Sequence, residues 1–195
     1  MKRQFVKTMQ RFAALTLGVL LTLGSVAQAA DNTALGDVAG VPGDLTDSNT
    51  FSLVTFVAAL QKRAFLTSDN TALTSGDTLP AGTSVDFLIY LSNESDVSID
   101  DVGMLDTLVG FTYVPGSLHV LNTTAACAAP CTAGEELNIY NLARVAGAKT
   151  DVINDDHASF TGTTVEVGNN TTAGNTQQDA AANFVLALVF TATLD

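Results

Sequence analysis

Tryptophan is absent from this 195-residue chain, cysteine occurs twice, proline four times, and eight basic residues stand against twenty acidic ones. Two cysteines are too few for a disulfide-dense scaffold. In an exported chain the spacing Cys127-Ala-Ala-Pro-Cys131 predicts one local bridge. It is not a Cys-x-x-Cys redox pair, and a zinc tetrahedron would have to draw on His119 and His157, the two histidines present. The bridge closes so short a loop that its entropic stabilisation falls below the ~3 kcal/mol of a 15-residue loop. Long apolar runs are also missing beyond the N-terminus: residues 184–190 fall well short of the roughly 20 needed to span a bilayer.

The scarcity of positive charge deepens along the chain. Lys2, Arg3, Lys7 and Arg11 precede an apolar run at 12–24 and Ala27-Gln28-Ala29, the three regions of a secretory signal cleaved after Ala29. Past that point Lys62, Arg63, Arg144 and Lys149 face all twenty acidic residues, a net charge of −16. Such a surface repels a phosphate backbone and anionic lipid heads, which excludes nucleic acid as a partner and argues against membrane insertion after signal cleavage. The expected locations are extracellular, cell-surface or periplasmic.

What is present is strand patterning. Within residues 85–91, Val85, Phe87, Ile89 and Leu91 alternate with Asp86, Leu88 and Tyr90, the period of a strand with one face in a core. The last segment, 183–194, is apolar on both alternating sets and belongs inside a sheet. Further strands are expected at 97–108, interrupted near Asp100-Asp101, and at 111–114, 118–121, 138–145 and 159–167, with Pro115-Gly116 as a hairpin-like turn. Residues 151–157 and 168–179 read as polar loops. Residues 30–50 form a flexible acidic leader, and residues 51–66 open the folded domain with a strand apolar on both sides or a short helix, the β-branched and aromatic content favouring a strand. Seven or eight short strands with regular turn signals and no long amphipathic helix predict one all-β domain at 51–195, an immunoglobulin-like β-sandwich.

The run from Gly82 to Val120, with its strand ending in Asn93, Asp106 opening a turn, and then GFTYVPGSLHV, resembles domain of unknown function 11, a family of prokaryotic surface-repeat modules. The resemblance extends through residues 151–160 to the final strand. It implies an immunoglobulin-like sandwich with a structural or adhesive role and supplies no catalytic residues. This chain holds a single copy where such modules usually stand in tandem.

Candidate functional residues fall into three groups. Asp96, Asp100, Asp101 and Asp106, and then Asp151, Asp155 and Asp156, are two acidic clusters offering the oxygen ligands that calcium takes, although neither follows the D-x-[DN]-x-[DN]-G loop. Solvated acidic loops are the favoured reading of both clusters, ahead of a calcium site. Calcium is the one cofactor considered. Lys62 and Asn183 are a candidate Lys–Asn cross-link between strands. Phe51, Leu53, Val54, Phe56, Val57 and Leu60 are a candidate strand-exchange segment: behind a flexible leader, an apolar strand can leave its own domain and complete a neighbour's sheet. The same residues suit the first strand of their own sandwich. Neither histidine lies in a nucleophile elbow or comparable motif, so no enzyme is expected. The expected function is an exported structural or adhesive protein, self-assembling by strand exchange with other subunits of its own or another kind. The alternative is a calcium- or carbohydrate-binding module.

Overall fold

The computed structural model describes residues 30–36, 47–53, 58–128, 130–168 and 175–195. The expected signal at 1–29 lies outside them, as do residues 37–46 of the expected leader, Val54, Phe56 and Val57 of the candidate exchange segment, and residues 169–174 of the last expected loop. In chain order the elements are β1 (Ala30–Gly36), β2 (Asp47–Leu53), β3 (Ala58–Leu66), β4 (Ala72–Leu73), β5 (Ser84–Asn93), β6 (Met104–Thr107), β7 (Phe111–Tyr113), β8 (His119–Ala125), α1 (Ala133–Ala143), β9 (Ala158–Thr161), β10 (Thr164–Val167) and β11 (Phe184–Leu194). Two antiparallel sheets face each other, so the fold is an all-β sandwich. The larger runs β4-β3-β5-β11, with β7 and β8 both on the far side of β11; the smaller is β6-β10-β9. β1 and β2 pair with each other in a ribbon of their own.

Alternation along β5 and β11 builds two cores, one on each face of the large sheet. Val85, Phe87 and Ile89 of β5 and Leu186, Leu188 and Phe190 of β11 point toward the small sheet, where they meet Met104, Val165 and Val167. Full burial of each such side chain is worth roughly 1.5–3 kcal/mol. The opposite set, Leu88 and Tyr90 with Val185, Ala187 and Val189, packs under α1 against Ile139, Tyr140 and Ala143. β5 is therefore buried on both faces, where its alternation predicts one.

That second core corrects the expected strand at 138–145, most of which is helix. Thr132 caps α1 in a capping box with Glu135, and Glu136, Ile139, Tyr140 and Ala143 form the buried i, i+3, i+4, i+7 stripe. The stripe is hard to read because its first member is a glutamate. Arg63 Nε donates to Glu136 Oε2 at 2.7 Å and the Tyr90 hydroxyl to Oε1 at 2.8 Å, which makes a buried carboxylate tolerable. The same hydrogen bond raises the Arg63 pKa against the opposing effect of burial.

Two further expected strands also have other bounds. The segment 97–108 is interrupted where expected, at Asp101 with φ +56°, but keeps only Met104–Thr107 as strand, leaving Ile99 in a lone bridge to Ala180. The segment 159–167 is two strands, β9 and β10, joined through Gly162 and Thr163.

Pro115-Gly116 does not reverse the chain. Tyr113 lies opposite Ala192 and His119 opposite Val189, so β7 and β8 run in the same direction along β11 with a local excursion between them. The Ser117 hydroxyl fills the gap in the ladder, accepting from Thr191 N–H at 3.0 Å and donating to Val114 O at 2.6 Å. Asp151 pins the excursion from the facing loop, accepting from the Tyr113 hydroxyl at 2.6 Å and from Gly116 N–H at 2.9 Å. Replacing Asp151 by Ala orphans both donors, an expected loss of roughly 1–3 kcal/mol measurable by urea unfolding. An unchanged midpoint would show that water substitutes for the carboxylate.

Candidate functional site

The described sandwich is open along one seam, between β3 of the large sheet and β6 of the small one. Cross-strand register puts Leu60 opposite Leu91, Lys62 opposite Ile89 and Ala64 opposite Phe87, so these three residues of β3 share the face that carries the main core. The small sheet does not extend over them: Leu60 is 59% exposed although it lies on the core-facing side. Further along β3, at the end that carries Ala64, lies a cleft of about 580 Å³ lined by residues of β3, β4, β5, β7 and the loop at 74–79, among them Leu73, Phe87 and Phe111 but neither Leu60 nor any residue of β6. Lys62 closes one side, its Nζ 2.6 Å from Asp106 Oδ2 of β6 and 4.6 Å from the centroid of the Phe87 ring. The ion pair is partly exposed and contributes little stability, on the order of 0–1 kcal/mol.

Both strands bordering the seam have an edge to offer. In the large sheet β4 pairs with β3 only at Ala64 and Phe65, and among the described residues no strand pairs with Ala58–Arg63 on that side. In the small sheet β6 pairs, among the described residues, with β10 alone. Such edges carry unpaired N–H and C=O groups and accept a further strand.

The strand-exchange candidates divide between elements. Phe51 and Leu53 belong to β2, outside both sandwich sheets, whereas Leu60 lies in β3 on the seam itself. Leu60 is paired opposite Leu91 within the large sheet.

The calcium candidates do not converge. Asp106 is committed to Lys62. Asp151 holds Tyr113 and Gly116. Asp155 accepts from the Thr150 hydroxyl at 2.6 Å, and Asp156 accepts from the backbone N–H groups of Thr150 and Ala158. Asp96, Asp100 and Asp101 are exposed. Among the described residues no group of three or more His, Cys, Asp or Glu side chains is placed to hold a metal ion.

Lys62 and Asn183 are not brought together either. Lys62 is level with Leu188 through Ile89, five residues along β11 from Asn183, about 17 Å of strand. Cys127 and Cys131 are bonded, their Cα atoms 5.4 Å apart, and both are buried in the helix-side core between β8 and α1, rather than at a hairpin tip. His119 is part-buried, with Nδ1 2.8 Å from Ala146 O, where alternation places it toward solvent. Asn93, in the sequence Asn-Glu-Ser, is fully buried and donates to the carbonyls of Val97, Ala180 and Ala181.

Sequence reasoning did not find the seam. The one available signal was Lys62 standing between Leu60 and Ala64 on the core-facing side of a strand, a charged residue where a fully covered strand would carry an apolar one. No family model, no curated protein and no solved structure matches this chain.

Proposed function

We propose that this protein is an exported structural subunit that associates with other copies of itself by strand addition, at the cell surface or in the extracellular matrix. The observation that carries the reading is the open seam. A core-facing leucine left exposed on β3, beside edges of β3 and β6 that no described strand pairs with, is an arrangement that a further strand would complete. The N-terminal signal pattern supports export, and the net charge of −16 keeps free subunits apart until specific pairing overcomes repulsion. The reading includes an immunoglobulin-like sandwich of the domain of unknown function 11 type, with neither catalysis nor a cofactor as its job.

Electron microscopy and light scattering on chain 30–195 test this. Filaments or regular oligomers that grow with protein concentration are the expected result; a monodisperse monomer at millimolar concentration would sink the reading. The same measurement with millimolar calcium addresses the alternative module, because a ligand that binds only the folded state raises stability by RT ln(1 + [L]/Kd).

A further inference from the structure

The seam has a matching piece in the same chain. β1 and β2 form a two-stranded antiparallel ribbon, Ala30 opposite Leu53 and Gly36 opposite Asp47, that belongs to neither sandwich sheet. An isolated two-stranded ribbon is marginal in water and gains stability by joining a larger sheet. We propose that the β1–β2 ribbon of a second copy adds to the edge of β6 that no described strand pairs with, widening the small sheet so that it covers Leu60 on β3. This rests on the self-association reading above and specifies its donor and acceptor.

Charge and geometry favour this occupant. Between Ala30 and Lys62 the chain carries four aspartates, Asp31, Asp37, Asp44 and Asp47, and no basic residue. The seam carries Lys62, whose side chain is 45% exposed even in its pair with Asp106, and it is one of only four basic residues past position 29. An acidic ribbon therefore meets one of the few cations of an otherwise acidic molecule.

Delivery from a second copy is favoured by the length of the connection. Four residues, 54–57, join Leu53 to Ala58, and five peptide units reach at most about 17 Å. Bringing Leu53 of the same chain beside Asp106 requires about 13 Å along β3 and about 10 Å between the layers, some 16 Å in all, which leaves almost no slack. A second copy carries no such constraint. Because donor and acceptor are different surfaces, the contact is head-to-tail, and unless it closes into a ring it propagates as a fibre.

The test uses chain 30–195 with single cysteines added beside the bonded native pair. Ser52→Cys in one copy and Leu105→Cys in another, mixed and treated with a bis-maleimide, are expected to give a cross-linked heterodimer. Ser52→Cys with Val152→Cys, an exposed position on a loop, is expected to give little. In parallel, Leu60→Asp should weaken association at least tenfold with an unchanged thermal midpoint, since Leu60 is already exposed. A cross-link formed only within one chain of the double variant Ser52→Cys/Leu105→Cys overturns the proposal in favour of an intramolecular cover. Assembly that persists without the cross-link, or that ignores Leu60→Asp, overturns it while leaving self-association standing. Absence of assembly in the unmodified chain overturns both.

Discussion

Raising the pH beyond 10 will unfold this protein cooperatively, with its three tyrosines ionising together. Tyr90, Tyr113 and Tyr140 are all the tyrosines it has, all are buried, and each donates its hydroxyl to a carboxylate: Glu136 Oε1 at 2.8 Å, Asp151 Oδ1 at 2.6 Å and Asp86 Oδ2 at 2.7 Å. Burial is the largest cause raising each phenol pKa, and the hydrogen bond to an anion follows, since a phenolate can neither donate nor tolerate that neighbour. The sign follows directly. Folded values above the unfolded value of 10 mean that the stabilisation is fully present below pH 10 and is lost as pH rises toward the folded values. Above pH 10 the unfolded chain releases up to three protons that the folded chain retains, a slope of roughly 4 kcal/mol per pH unit. Against the roughly 5–15 kcal/mol of a typical domain, that is a steep loss of stability above pH 10. Near-ultraviolet absorbance should show no tyrosinate until circular dichroism reports loss of the sheet, and then all three at once. A tyrosinate signal centred near pH 10 with the sheet intact would disprove the premise.

Gly168→Ala is the point substitution with the largest expected cost per atom added. Gly168 ends β10 at φ +81°, and a Cβ there would stand 2.2 Å from the backbone oxygen of Val102, which cannot move aside as a flexible side chain would. Its N–H donates to His157 O at 2.8 Å, so the residue cannot swing away without breaking that bond. Left-handed backbone costs an alanine about 1–2 kcal/mol, and forced overpacking typically another 1–3, giving roughly 2–5 kcal/mol in all. Gly162→Ala is the control: φ is +64°, and a Cβ meets nothing within 4 Å. Chemical denaturation should show a modest loss for Gly162→Ala and at least twice that for Gly168→Ala. Equal losses would mean that the Val102 segment gives way.

Much of the sheet was legible because period-2 alternation survives wherever one face meets a core. The strand at 85–91 and the final strand emerged close to their observed bounds, and the polarity of Asp151–His157 marked a loop correctly. α1 was not legible as helix because Glu136 interrupts its apolar stripe, and its partners, Arg63 and Tyr90, lie 73 and 46 residues away. The excursion at Pro115-Gly116 looked like a hairpin because turn chemistry reports a local bend, not which strand the chain pairs with afterwards. The acidic clusters looked like ligand sets because spacing carries no record of the hydroxyls and amides that occupy each carboxylate.

Local pattern by itself determined the strands and the all-β class, and composition determined the acidic charge, since side-chain alternation and charge act over a few residues or over the whole chain without reference to topology. Tertiary structure alone decided that the large sheet is covered twice, by α1 and by the small sheet, and that the small sheet stops short of β3. Coverage depends on which distant segments arrive on each face, and so on pairings such as Ala187 with Tyr90 that close loops of nearly a hundred residues. The seam is a property of where those segments end, which no single stretch of sequence contains.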